Sequence, residues 1–429
     1  MNISGLSFNA LPPIDLPFRF FITAPLFIIL SAFIMFFAGE SLWFSRWQPE
    51  MLALTHAFTL GFLTMVMMGA LLQLLPVIGG VGIKNPRLIV GICHSTLVIG
   101  TLCLMAHFVR PSTVLAVSSL VCLMSSVGLY VVTFAWVLLK KLSQGDSITG
   151  FRLAMSALFI VLLLGVGLLS NSIGLSSFNN AGKMLTNNHA LFGLAGWCSL
   201  LIISVSFQVI PMFHVAPSFP KLISRFLPSA LFLLLLCLVF KPNIVMPIIV
   251  LIHGVFALSV LRVVSLRKRK IPDPTIRFWQ LAAITLLVVN IFYFFPNQYL
   301  PSLISQQKML LITALYLYFY LIAVIQGMLL KILPFLSYTH LQQKCLINFS
   351  AMQAIPHMHE FLKKQHGQWL FYLHILTGIV LFYTIMVPSA YWLLSLLLFI
   401  EFSWLLFLTI KTMRLYFVTQ VNVNSFVNE

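Results

Sequence analysis

Two histidines stand in matching settings. Leu54-Thr55-His56-Ala57 and Asn187-Asn188-His189-Ala190 each open an apolar run of membrane length. An imidazole at that depth is a candidate axial haem ligand or metal ligand, because its neutral nitrogen binds both. Small neighbours allow a flat macrocycle or another helix to approach: Ala57 and Gly61 for the first, Ala190 and Gly193 for the second. The competing reading is a histidine hydrogen-bonded to an adjacent helix. His253, in Leu251-Ile252-His253-Gly254, either completes a site with one of these two or is satisfied structurally. Glu401 is the only acidic residue deep in an apolar run. A lone carboxylate in lipid is costly, so Glu401 must face the interior, be protonated or find a partner. Its candidate roles are proton relay or counter-charge, against a plain hydrogen-bonded tie between helices.

These residues sit on a repeat. One apolar run from His56 ends in Gln73-Leu74-Leu75-Pro76, and another from His189 ends in Gln208-Val209-Ile210-Pro211. A third, from Leu310, ends in Lys331-Ile332-Leu333-Pro334 and has no histidine at the matching depth. They are helices 2, 6 and 10 of twelve, so the repeat recurs every fourth helix. Each proline is expected to end or kink its helix and loosen carbonyls one turn earlier. Gln73, Gln208 or Lys331, three residues before, can reach that turn or snorkel to the interface. The repeat is imperfect. His56 precedes Gln73 by 17 residues and His189 precedes Gln208 by 19, so either a bulge absorbs the difference or the histidines are not equivalent. Tyr316, Tyr318 and Tyr320 in helix 10 fan over a wide arc and read as packing. His94 and His374 read as structural histidines in helices 3 and 11.

Composition leaves little room for anything but membrane. Apolar residues make up 60% and charged residues 8% of 429 residues, against about 25% charged in soluble proteins. The expected class is all-α, a single polytopic domain over residues 1–429. Its helices fall near 17–38, 50–77, 86–108, 112–139, 151–174, 186–215, 222–240, 243–264, 276–296, 307–335, 368–386 and 389–413. A loop over 336–367 joins helices 10 and 11, with an amphipathic stretch around Met358–Leu362 that could lie on the membrane surface. The formal charge of +17 suggests membrane orientation and not nucleic acid. Of 25 Lys and Arg, Arg46, Arg110, Lys183, Lys241 and Lys308 fall on one side and the other twenty on the opposite side. Basic residues gather in the cytoplasm, so both ends are expected inside, with His56 and His189 near the outer interface. Six scattered Cys with no Cys-x-x-Cys signal neither a disulfide framework nor a thiolate metal site.

Twelve helices in three groups of four, with a histidine in the outer half of helix 2, resemble the haem–copper oxidase catalytic subunit. The small twelve-helix NnrS-type membrane proteins and uncharacterised bacterial relatives are similar too. Leu54–Phe62, Gly69–Val77, Asn188–Gly193 and Gly327–Phe335 carry the likeness. The resemblance implies a pseudo-threefold 3 × 4 helix arrangement in a bacterial inner membrane. It also implies haem or copper, with His56, His189 and His253 as the residues to hold them. The oxidases clamp haem with histidines of helices 2 and 10 and hold copper with histidines of helices 6 and 7. Here helix 7 has none, and neither does helix 10 within 307–335. The dinuclear centre is therefore not assembled in the oxidase manner, and oxygen reduction is not expected. The implied role lies in nitric-oxide, haem or metal stress, or in respiratory support. Its partners would be the lipid bilayer and respiratory or metal-handling membrane proteins. A transporter or permease, or an assembly partner of a respiratory complex, stays open as the alternative.

Overall fold

The computed structural model describes residues 12–79, 82–140, 146–175, 182–345 and 349–428. Among them there is no strand. Twelve helices are long and apolar enough to cross a membrane. They are α1 Asp15–Trp43, α2 Pro49–Leu74, α3 Pro86–Val109, α4 Thr113–Leu138, α5 Ser147–Ser172 and α6 Gly182–His214. Then come α7 Lys221–Leu238, α8 Pro242–Ser265, α9 Pro274–Phe294, α10 Ser302–Lys344, α11 Lys364–Met386 and α12 Pro388–Ser425. Helix is the only open-ended element whose backbone polar groups are all met within the segment, and so it is what apolar runs of this length form in lipid. Sequence sets the starts. Proline occupies the first turn of α2, α3, α8 and α9, where its missing N–H loses nothing. Ser112 and Asp273 cap α4 and α9 with side-chain oxygens.

Packing divides the helices into two sets. α2, α6 and α10 touch one another pairwise and are the three most buried spans. The other nine follow one another around them, α1 to α3, α4, α5, α7, α8, α9, α11 and α12, and α12 packs back along α1. Each inner helix also carries an eight-residue π-helical stretch: Ala57–Thr64 in α2, Phe192–Ser199 in α6 and Leu315–Ile322 in α10. A shorter one, Met124–Gly128, lies in α4. Such wide i→i+5 turns are rare, and they gather at functional sites. The three long stretches are in register with the repeat. Each ends twelve residues before its proline, Thr64 before Pro76, Ser199 before Pro211 and Ile322 before Pro334.

Several expectations need correction. None of the prolines ends its helix. The helix holding Pro76 runs to Gly79, that holding Pro211 to His214 and that holding Pro334 to Lys344. One lost hydrogen bond is tolerated where neighbouring helices pack on the turn. Residues 336–344 are therefore helix and not loop, because Leu336, Ser337 and Leu341 are still buried. α10 thereby gains a histidine, His340, past its proline. The helix of α12 likewise continues to Asn428. The stretch at 358–362 is a single turn, Met358–Phe361, closed by a capping box between His357 and Glu360. Phe361 and Leu362 point into the bundle, and Phe361 accepts a hydrogen bond from Thr412 of α12 at 3.3 Å. The turn is tied to the bundle on this side, while His359 and Glu360 stay exposed.

Candidate functional site

His56 and His189 come together. His56 is the last residue before the π stretch of α2, and His189 lies three residues before that of α6. The stretches are equally long, so no bulge absorbs the offset, and the histidines are not equivalent in the repeat. Rotation of the helices nevertheless sets their rings 6.2 Å apart and 28° from parallel. Each is oriented by a backbone carbonyl. His56 Nδ1 donates to Leu52 at 2.8 Å, and His189 Nδ1 donates to Val161 of α5 at 3.2 Å. A carbonyl only accepts, so both protons are fixed on Nδ1 and both Nε2 lone pairs are left to act as ligands. Gly165 of α5 makes the close approach possible: a Cβ there would stand 3.1 Å from His189 Cε1. Phe108 flanks the other ring at 5.1 Å. Both histidines are half-buried.

His253 is not part of this pair. It is buried in α8, where Nδ1 donates to its own Ile249 carbonyl at 2.8 Å. Nε2 lies 2.8 Å from the Tyr316 hydroxyl and 3.0 Å from that of Ser199. Ser199 in turn meets the Tyr320 hydroxyl at 2.8 Å. Both nitrogens of His253 are thus engaged, and its partner Ser199 lies ten residues along α6 from His189. Tyr316 and Tyr320 do more than pack. Four residues apart on the π stretch of α10, they present both hydroxyls to this polar set. Trp197 adds a link from α6 to α2, donating to Thr64 at 3.1 Å. The π stretch of α6 is therefore bonded to that of α2 on one side and to that of α10 on the other.

Tyr318, on the opposite side of the same stretch, donates to Glu401 Oε2. Gln326 Nε2 donates to Oε1 at 2.6 Å, and His374 Nδ1 meets Oε1 at 2.9 Å. Glu401 and His374 are both wholly buried. The His374 ring lies flat on Tyr318, centroids 4.3 Å apart and 14° from parallel. Glu401 has found partners on two other helices, as its burial demanded, and His374 is one of them. Sequence alone marked the depth of both residues and gave no sign that they meet.

The polar residues ahead of the prolines differ in use. Gln73 Nε2 reaches the Pro12 carbonyl at 3.4 Å. Lys331 does not snorkel: its Nζ pairs with Asp273 Oδ2 at 2.6 Å. Asp273 lies between α8 and α9 and also accepts from Thr275 N at 3.0 Å. Burial works to raise its carboxyl pKa, but the Lys331 charge and hydrogen bond outweigh that, with help from Thr275, and the net direction is down. Gln73 and Gln208 line a cavity of about 110 Å³ between the second halves of α2, α6 and α10, closed on one side by Trp279. Its other walls are apolar, among them Met67, Leu201, Val324 and Met328. Pro211 and Pro334 are helical positions below it. The Pro76 side chain lies outside the described residues. Among the described residues no three His, Cys, Asp or Glu side chains cluster to hold a metal.

No protein-family model matches this chain, and no curated protein matches it.

Proposed function

We propose that this chain is a copper-associated protein of a bacterial inner membrane, with both ends cytoplasmic. Its helices are read as three groups of four about α2, α6 and α10, in the manner of the haem–copper oxidase catalytic subunit but without the dinuclear centre. The pairwise contact of those helices and the shared register of their π stretches support that reading.

One observation carries the metal assignment: two imidazoles 6.2 Å apart, each with Nδ1 held by a carbonyl and Nε2 unengaged. The rings lie close and near parallel, and two imidazole nitrogens on neighbouring helices can hold one ion once their Nε2 atoms turn toward it. The donor set favours copper. Structural zinc sites take four protein ligands and catalytic ones three, whereas reduced copper is satisfied by two, and imidazole suits it. A haem also accepts two imidazoles, but its macrocycle needs a slot. The cavity between the inner helices lies at their other end and is lined without histidine. Haem is therefore the second choice. His340, the one histidine on α10, lies beyond Pro334 and far along the helix from the pair. The role that fits is metal handling in support of respiration, alongside respiratory or metal-handling membrane proteins. A proton-coupled transporter is the alternative, favoured by the buried Glu401 group.

The test is metal analysis and an absorption spectrum of the protein purified from its own membrane, beside His56→Ala, His189→Ala and His253→Ala. The expected result is near-stoichiometric copper in the parent and in His253→Ala, and its loss in the other two. Unchanged copper in both pair variants would falsify the assignment. A Soret band with stoichiometric iron would transfer the site to haem.

A further inference from the structure

The buried group at Glu401 does more than tie helices. Its carboxylate accepts from three donors on two other helices, Tyr318, Gln326 and His374. Two polar atoms of the same group have no partner: His374 Nε2 and Gln326 Oε1, both fully enclosed. An unpartnered buried nitrogen on a ring already anchored through its other nitrogen is unexpected in a purely structural contact.

Charge balance sharpens the point. A carboxylate with three donors and a neutral imidazole would leave one net negative charge inside the membrane, which is costly. The charged groups on the packed helices are engaged or exposed elsewhere. On α10, Lys331 holds Asp273, and Lys308 is bound to the Tyr293 and Phe295 carbonyls at the end of α9. Arg277 of α9 reaches Tyr372 at the exposed face of α11. Lys411 and Arg414 of α12 are exposed, Lys344 and Lys364 are half-exposed, and Arg19 of α1 pairs with Asp15. Tyr316, Tyr320 and His253 form their own set on the other side of α10. His374 is the remaining group able to neutralise Glu401.

We infer that His374 and Glu401 form an exchangeable proton-binding site, an imidazolium–carboxylate pair whose proton enters and leaves through His374 Nε2. On release, a movement of α11 must first admit a water to Nε2, which is enclosed in this structure, and the proton passes to that water. This leaves a neutral imidazole, still donating through Nδ1, and a carboxylate held by its three donors. Tyr318 is a positioning residue: it donates to one carboxylate oxygen and lies flat against the imidazole. The site shares no residue with the His56–His189 pair, so either can fail without the other.

The experiment uses full-length protein in lipid nanodiscs with ¹⁵N-labelled histidine. His374 is assigned by comparison with His374→Gln, and its nitrogens are followed from about pH 5 to about pH 9. Infrared spectra are recorded in parallel. The expected result is an imidazolium at neutral pH that becomes neutral as pH rises. Glu401→Gln should make that ring neutral throughout. Tyr318→Phe, which keeps the ring shape, should move the proton toward the carboxyl, so that a protonated-carboxyl stretch absent from the parent appears. A ring that is neutral at every pH, or an imidazolium that never releases its proton in this range, overturns the proposal and leaves a static tie.

Discussion

Lys331 and Asp273 show how far a single side chain's partner changes its meaning. Read along the chain, a lysine near a helix end snorkels. In the bundle it meets the cap residue of α9 at 2.6 Å, with only 13% and 15% of the two side chains exposed. An exposed pair contributes up to about 1 kcal/mol, and breaking a fully buried one costs about 3–5 kcal/mol. The intermediate burial places Asp273→Asn near 2 kcal/mol. Because the folded carboxyl lies below its unfolded value, its contribution is present above about pH 4 and fades as pH falls through the folded value. Thermal unfolding in detergent should therefore show a lower Tm for Asp273→Asn at neutral pH and a closing gap in strong acid. A gap independent of pH would rule this out. Lys308 makes the same point. It is 6% exposed and gives its three donors to Tyr293 O, Phe295 O and Asn297 Oδ1 at the end of α9. Lys308→Met removes a cation from a helix C-terminus and leaves those oxygens unmet. It should cost about 1–3 kcal/mol, read in the same unfolding assay. His56 and His189 were legible because their flanking residues match. His374 was not, since its meeting with Glu401 depends on helix rotation, which no spacing along one helix reports.

At the scale of the element, hydropathy was sufficient to find every span, since apolar backbone in lipid has no other outlet. It failed at the ends of α10 and α12, where polar residues such as Ser337, Thr339 and Gln342 looked like loop. Burial of Leu336 and Leu341 against neighbours keeps that turn helical. The π stretches left no mark at all. In a segment apolar on every side, a change of turn from 3.6 residues moves no polar residue out of place. One of them includes a tight contact between helices. Gly61, within the stretch of α2, lies where a Cβ would stand 2.4 Å from the Phe27 ring of α1. Gly61→Ala should cost about 1–3 kcal/mol by overpacking. Phe27→Ala should relieve part of that, so the double variant is more stable than the two losses added. Strict additivity in a double-mutant cycle would mean that the two helices do not meet there.

At the scale of the whole molecule, the described residues hold an even number of helices able to span a membrane, with α12 packed along α1. If all twelve cross, the start of α1 and the end of α12 are expected on one side of the membrane. Which side is decided by charge. The sequence count assigns twenty basic residues to the side of those two ends and five to the other, and the larger set is expected in the cytoplasm. A fluorescent protein fused after α12 should therefore fluoresce. Alkaline phosphatase inserted near Arg46, between α1 and α2, should be active. The opposite pattern would invert the bundle and move the His56–His189 pair to the cytoplasmic side. The excess is also spread over several loops and helix ends, so no single run should govern it. Replacing the exposed Lys268, Arg269 and Lys270 with glutamine still leaves more than a threefold excess on that side. Those three side chains hold nothing together. The variant should keep both the parent orientation and the parent stability, measured by the same two reporters and by thermal unfolding. A flipped orientation from three substitutions would mean that the run after α8 alone sets the topology, and that the count over the other loops carries no weight.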